Sequence, residues 1–196
     1  MSISMEMVQK LRQSTGAGVL ECKKALEESK GVIEEAIKIL RTKGIAQAEK
    51  KSARTTSQGL VASYVHLGGQ LGVLVEINCE TDFVARTDDF KALAHDIAMQ
   101  VAAVNPLYVK RQDVPAEILD KEREIAKAQV TGKPTNVMEK IVEGKLEKYY
   151  EQFCLLDQPF IKDDKIKISD HLKNTIAKLG ENITVRRFAR IKLGDA

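Results

Sequence analysis

The chain has 196 residues, 43% of them hydrophobic, and its 31 Lys and Arg against 28 Asp and Glu leave a net charge of +3. That allows one ordinary core plus a small satellite domain and excludes three independent domains. It also falls far short of the basic excess expected of a protein whose main ligand is a nucleic-acid backbone. The imbalance is uneven, since residues 1–58 hold eleven basic and seven acidic side chains, a modest basic face near the N-terminus. Cys22, Cys79 and Cys154 are odd in number, far apart and without a C-x-x-C pair. Neither a disulfide framework nor a zinc site is indicated, and a cytoplasmic, reducing location fits. The opening Met1-Ser2-Ile3-Ser4-Met5-Glu6 lacks a basic segment followed by an apolar one, and nowhere do ~18 apolar residues run together, so neither export nor a membrane span is expected.

Residues 4–43 read as three short helices, Ser4 to about Ser14, Val19 to Lys30 and Val32 to Lys43, punctuated by Gly16, Gly18, Gly31 and Gly44. Val8 and Leu11, then Cys22, Ala25 and Leu26, then Ile33, Ala36, Ile37 and Leu40 fall at three- or four-residue spacing, as a three-helix domain over 1–44 requires. Residues 45–58 are rich in Ala, Lys, Ser and Thr without a strong apolar stripe, and read as a partly helical linker. An α+β core over 59–196 follows.

That core opens with a hairpin, Leu60 to Leu67 and Leu71 to Asn78 around Gly68-Gly69-Gln70, with Leu71, Val73, Val75 and Ile77 on one face. A helix from Asp88 to Val104 covers it with Phe90, Leu93, Ala94, Ile97, Val101 and Val104, and stops at Asn105-Pro106. A helical hairpin over 113–153 comes next. Asp113 caps a helix from Pro115 to about Val130, Gly132-Lys133-Pro134 breaks it, and a second helix runs from Asn136 to Phe153. The expected seam sets Ile118, Ile125 and Gln129 against Met138, Ile141, Val142 and Tyr149. A helix from Ser169 to Leu179, closed by Gly180, leads to a strand from Ile183 to Leu193 that joins the hairpin through Ile183, Val185, Ala189 and Ile191. The predicted fold is therefore α+β, with a three-stranded antiparallel sheet and packed helices.

Motifs of covalent chemistry are missing. No G-x-x-x-x-G-K-[ST], H-E-x-x-H, G-x-S-x-G or G-x-G-x-x-G occurs, and His66, His95 and His171 sit on separate elements. A thiol enzyme using Cys79 with His66 is the best catalytic arrangement, yet a lone cysteine at a strand end behaves more often as a small hydrophobe. The chain is not expected to be an enzyme.

One segment stands out: Asn78-Cys79-Glu80-Thr81-Asp82-Phe83-Val84-Ala85-Arg86, between the second strand and its covering helix. Taken alone, it reads as Thr81 or Asp82 capping a helical turn with Phe83 in the core. Together with Val75-Glu76-Ile77 before it, however, Thr81-Asp82-Phe83-Val84 resembles the signature of the elongation factor Ts family. Leu11-Arg12-Gln13-Ser14-Thr15-Gly16-Ala17-Gly18 with Cys22-Lys23-Lys24-Ala25-Leu26 resembles that family's N-terminal motif. Similarity at Gly132-Lys133-Pro134, Glu143-Gly144-Lys145, Leu156-Asp157-Gln158-Pro159-Phe160 and Gly180-Glu181-Asn182-Ile183 extends the match over essentially the whole chain.

The resemblance implies a ubiquitin-associated-like N-terminal domain and a guanine nucleotide exchange factor that promotes GDP release and GTP loading on the GTPase elongation factor Tu. GDP, GTP and Mg²⁺ are bound by that partner, so no cofactor or metal of the chain's own is expected. It further implies that Phe83 wedges between two helices of the GTPase and that Asp82 lies near the region holding Mg²⁺. Thr81 and Val84 support the turn, while Arg12, Val19, Leu20 and Lys23 dock on the GTP-binding domain. Packing offers a competing role for Phe83, in the main core, and for Val19 and Leu20, closing the three-helix core. Longer family members carry two related core subdomains, and this chain has room for one, which implies a homodimer formed through the sheet. The alternative from another class is an RNA-binding accessory module of translation using Lys43, Lys50, Lys51 and Arg54. Nine aromatic residues and no RNP-like strand give it few stacking platforms.

Overall fold

The computed structural model describes residues 3–130 and 134–195. Met1 and Ser2 of the opening segment, and Gly132-Lys133 of the expected break between the hairpin helices, lie outside the described residues. The chain divides into two compact units, one built from Met1–Leu60, Ile77–Leu93 and Asp170–Thr184, the other from Val61–Glu76, Ala94–Ser169 and Val185–Ala196.

In the first unit, α1 (Met5–Thr15) begins where the Ser4 hydroxyl accepts from the Met7 N–H at 3.2 Å. It ends at Gly16, whose φ of 69° lets its N–H reach back to the Arg12 carbonyl. After α2 (Val19–Glu28), Lys30 and Gly31 turn the chain with positive φ into α3 (Ile33–Lys51). Val8, Leu11, Cys22, Ala25, Leu26 and Ala36 form the buried centre of the three helices, flanked by Ile33, Ile39 and Leu40. Ile37, expected in this core, is exposed instead. It lies one residue, about 100° of helical rotation, beyond Ala36, and Ile39 packs against the core. α3 also runs well past its expected end at Lys43, to Lys51, so the first half of the Ala- and Lys-rich stretch over 45–58 is helix and the second half is not.

Helix α8 (Ile168–Leu179) lies beside α3: a Cβ built on Gly44 would sit 3.0 Å from the Ala177 Cβ. Arg41 pairs with Asp170 and Lys173 with Glu49, both at 3.2 Å.

Three strands, β1 (Gln58–Val65), β2 (Leu71–Cys79) and β5 (Ile183–Lys192), form an antiparallel sheet in the order β1-β2-β5. The fold is α+β, as the sequence indicates. Helix α5 (Asp88–Val104) carries a broad buried stripe of Phe90, Leu93, Ala94, Ile97, Ala98 and Val101. Val104, expected on that stripe, is exposed in the last turn. In β5 the expected alternation holds for buried Ile183 and Val185 only. Arg186 and Arg187 are both exposed, the pattern slips by one residue, and Ile191 becomes 75% exposed. A register slip of one residue moves each following side chain to the other face.

The second unit contains the helical hairpin. α6 (Ala116–Ala128) and α7 (Thr135–Phe153) run antiparallel, because Ala126 clusters with Val142 and Leu146 while Leu119, further from the connection, packs with them beside Tyr150. The seam is thus Leu119, Ala126, Val142, Leu146 and Tyr150. Ile125, expected inside, is 51% exposed, and Tyr149 packs at a tilt against Phe153, with ring centroids 4.7 Å apart and planes inclined by 48°. Asp113 does not cap α6. Its carboxylate accepts from the Lys110 N–H at 3.2 Å across a 3-10 turn at Arg111–Asp113.

Arg111 fastens the base of the hairpin. Its guanidinium donates to both Glu147 oxygens at 2.6 and 2.7 Å and to Asp157 Oδ1 at 2.7 and 2.9 Å, and it lies 4.6 Å from the Tyr150 ring centroid. These carboxylates, Asp157 first and Glu147 second, push its pKa above the ordinary arginine value. Arg111→Ala is expected to destabilise the chain by about 1–2 kcal/mol, since it removes charge-assisted bonds from a well-enclosed Asp157. A thermal melt should show a loss of roughly 3–6 °C, not recovered by Arg111→Lys, which cannot fork. A melt within about 1 °C of the parent would contradict the assignment.

The sequence reading contains no structure between the hairpin and α8, yet β3 (Pro159–Phe160) and β4 (Asp163–Lys167) form a small antiparallel pair. It is pinned by Gln100, fully buried on α5, whose amide donates to Gln158 Oε1 (3.2 Å) and the Pro159 carbonyl (3.1 Å) and accepts from the Ile161 N–H (3.0 Å). Among the described residues no helix is long and apolar enough to cross a membrane.

Candidate functional site

The singular segment of the sequence forms a single helical turn at the end of β2. Thr81 is its N-cap, with extended backbone and a hydroxyl that accepts from the Val84 N–H at 3.4 Å, and α4 spans Asp82–Ala85. Inside so short a helix, Ala85 faces inward and is 8% exposed, while Phe83 points out and is 78% exposed. Packing therefore does not explain Phe83: the expectation that it plugs the core is overturned. Positions 83 and 85 lie about 200° apart around the helix axis, so a turn that faces Ala85 inward carries Phe83 outward. A phenyl ring left in water forgoes about 1.5–3 kcal/mol of burial.

The turn is braced. The Glu181 carboxylate accepts from the Thr81 hydroxyl at 2.6 Å through one oxygen and from the Thr81 N–H at 3.0 Å through the other. The Cys79 thiol donates to the Thr81 carbonyl at 3.1 Å. Cys79 is fully buried, and burial first, then the charge of Glu181, raises its pKa above the ordinary thiol value. Such a thiol is protonated and occupied, the opposite of an activated nucleophile. His66 is engaged elsewhere, with its Nδ1 2.9 Å from the Tyr64 hydroxyl. Asp82 is half-exposed and paired with Arg86, one turn on, at 2.8 Å. Val84 is partly buried beneath the turn.

The second group of expected site residues sits in the same compact unit. Val19 and Leu20 open α2 at 45% and 64% exposed, so neither closes the three-helix core. Lys23 follows Leu20 at helical spacing on the same exposed face, 4.0 Å from Glu27. Arg12 is exposed in the last turn of α1. Two exposed apolar side chains flanked by cations form a small amphipathic surface beside the Gly16-Ala17-Gly18 loop. Of the four cations considered for RNA, Lys43 pairs with Glu28 at 2.5 Å and Arg54 with Glu80 at 3.4 Å.

The sequence reading missed the supports, Glu181 and Asn182. Asn182 is 3% exposed and donates its N–H to Glu80 Oε1 at 2.6 Å, which holds the Glu80 carboxyl below the usual carboxylate range. Gly180-Glu181-Asn182-Ile183 was visible as a stretch of family similarity and as a polar pair between a helix-closing glycine and an apolar strand, but nothing in a pattern of local spacing names a partner a hundred residues away. No cluster of three or more His, Cys, Asp or Glu suited to a metal occurs among the described residues.

The family model described as Elongation factor TS matches residues 2–175. The chain is 60% identical over 195 residues to the Elongation factor Ts of Thermotoga petrophila, covering 100% of this chain and 98% of that protein. Identity to the Elongation factor Ts of Carboxydothermus hydrogenoformans is 58% over 195 residues, covering 98% of this chain and 90% of that protein. For that of Thermodesulfovibrio yellowstonii it is 56% over 196 residues, with 100% and 98% covered.

Proposed function

The chain belongs to the elongation factor Ts family, and from that premise we propose that it acts in translation as a guanine nucleotide exchange factor for elongation factor Tu. The observation that carries the reading is Phe83, a large apolar ring held outside the fold on a braced turn. No covalent step is required. An exchange factor binds the empty GTPase more tightly than the nucleotide-loaded one, and linkage makes the mutual weakening of nucleotide and factor equal.

Weakening GDP a thousandfold takes about 4.1 kcal/mol of differential binding, an amount a few buried contacts can supply. Phe83 gains burial only by entering a partner, so its insertion between two helices of the GTPase is favourable where those helices yield. Asp82 is presented beside it. Magnesium requires near-ideal octahedral geometry, and a small displacement of the partner's own ligands weakens its hold on the ion and on the phosphates that ion neutralises. Val19 and Leu20, with Arg12 and Lys23, supply a second grip on the GTP-binding domain. Leu20→Ser is expected to weaken the complex about 5- to 10-fold, the share of one partly exposed leucine, without shifting the chain's melting temperature. A lower melting temperature with unchanged affinity would return Leu20 to a packing role.

The homodimer also belongs to this reading. In β2, Leu74 points away from the buried Val73 and Val75, and it shares the open face of the sheet with Val61, Val65 and Ile191, all more than half exposed. Tyr64, which alternates with Val65, instead reaches His95 of α5, with ring centroids 5.8 Å apart. A sheet face that exposes four large apolar side chains around the Arg187–Glu76 ion pair is suited to a second copy of the chain.

Calorimetric titration of the GTPase tests the central proposal. The chain should bind nucleotide-free elongation factor Tu at least a hundredfold more tightly than the GDP complex at equal Mg²⁺. Equal affinities would exclude exchange by this route, because a ligand without preference shifts no equilibrium.

A further inference from the structure

The loop between α8 and β5 holds the Phe83 turn from several sides at once. Besides its backbone bond to Glu80, Asn182 donates its side-chain amide to the Arg54 carbonyl at 2.8 Å and the Ser52 carbonyl at 3.3 Å, just beyond the end of α3. The Arg54 guanidinium reaches back to Glu80 Oε1 at 3.4 Å. Glu181 adds the two bonds to Thr81. Three distant stretches of chain, at residues 52–54, 80–81 and 181–182, therefore meet in one polar cluster.

Outside this cluster the turn is held by short-range bonds alone, from the Cys79 thiol to the Thr81 carbonyl, from Thr87 to the Val84 carbonyl and between Asp82 and Arg86. α4 has four residues, its Ala85 N–H to Thr81 carbonyl bond is long at 3.4 Å, and Ala85 is its one buried side chain among the described residues. An isolated helical turn does not persist in water. A wedge whose base swivels yields in place of its target, and displacement by about 1 Å of a group that must meet a reacting site can cost on the order of a hundredfold in rate.

Resting on the exchange reading above, we propose that Glu181 and Asn182 are positioning residues for nucleotide release, acting through Thr81 and Glu80 to fix the direction of the Phe83 ring relative to the end of α3. Glu181 fixes the turn itself, and Asn182 fixes the residue before it. Neither supplies a contact of its own to the ring. Loosening them leaves Phe83 exposed and the α2 grip intact, so the encounter with the GDP-bound partner survives while the release step fails.

The chain contains no tryptophan, so Phe83→Trp installs a sole indole at the wedge. Its time-resolved anisotropy, measured without partner, reports the stiffness of the turn. Added Glu181→Ala should increase fast local motion of the indole, and Glu181→Gln, which keeps an acceptor for the Thr81 N–H and a group for its hydroxyl, should not. In the Phe83 background, Glu181→Ala should lower the maximal rate of GDP release about tenfold, shift the half-saturating concentration less than twofold, and be rescued by Glu181→Gln. An indole equally rigid in Glu181→Ala, or a loss of rate with no gain in motion, would overturn the proposal. Should Glu181→Ala fail to fold, Glu181→Asp, one methylene too short to span both the Thr81 hydroxyl and its N–H while the cap bond from Thr81 to Val84 stays in place, decides on the same two readouts. If the unsubstituted chain releases no GDP, the exchange reading falls, and the indole motion still decides whether these residues hold the turn.

Discussion

Phe83→Ala is expected to slow the release of GDP from elongation factor Tu by about 30-fold or more while moving the chain's own melting temperature by no more than about 1 °C. Both halves follow from one number, the 78% exposure of the ring. A side chain that touches little of its own protein cannot lower its stability when truncated, whereas an aromatic anchor buried at the centre of an interface contributes about 2 kcal/mol or more. A buried Phe83 would give the reverse pattern, with truncation costing about 3–5 kcal/mol of stability. Stopped-flow release together with a thermal melt separates the two. A strongly lowered melting temperature would place the ring in the core, and unchanged release would place the wedge elsewhere.

The largest effect on stability is expected from Gly59→Ala. Gly59 has a φ of 149°, and a Cβ there would lie 2.1 Å from the Ile77 carbonyl oxygen and 2.8 Å from the Asn78 Cα. Both obstacles are backbone, and they belong to the end of β2 from which the Phe83 turn departs. No side-chain rearrangement relieves such a clash, so strand β1 must move away. A cost of about 3 kcal/mol or more follows from backbone strain combined with lost pairing. Thermal denaturation should show a fall of roughly 6–12 °C. Gly68→Ala is the control, because its positive φ occurs in a hairpin tip with nothing within 4 Å of the added Cβ. A Gly59→Ala melt matching that of Gly68→Ala would contradict the close approach.

Local spacing carried much of the architecture. The stripe Phe90, Leu93, Ala94, Ile97 and Val101 announced α5 with its correct limits, and the alternation in Val73, Val75 and Ile77 announced the buried face of β2. Where spacing failed, a tertiary partner decided the outcome. Ile125 and Leu119 fit a helical stripe equally well, and the facing Val142 and Leu146 select Leu119. In β5 two adjacent arginines shift the pattern, and Arg187 pairs with Glu76 at 2.7 Å on the open face of the sheet. The β3-β4 pair is too short for any period and depends on Gln100, a polar residue inside an apolar helix stripe.

The candidate site was legible in part. Thr81 as a cap needs only its own neighbourhood, and the sequence shows it. Whether Phe83 points in or out depends on which residue of the turn meets the core, and the motif alone left both open. Val19 and Leu20 were ambiguous for the same reason, since apolar residues at the start of a short helix serve a core or a surface equally well. Glu181 and Asn182 were visible as letters but not as supports, because their partners Thr81 and Glu80 lie on another element.

Exchange activity is measured by loading elongation factor Tu with a fluorescent GDP, adding the unsubstituted chain with excess unlabelled nucleotide, and following release by stopped flow. A saturable acceleration of up to about a thousandfold is expected, corresponding to about 4.1 kcal/mol of differential binding. Release at the spontaneous rate at every concentration, from a chain shown by circular dichroism to be folded, would contradict it.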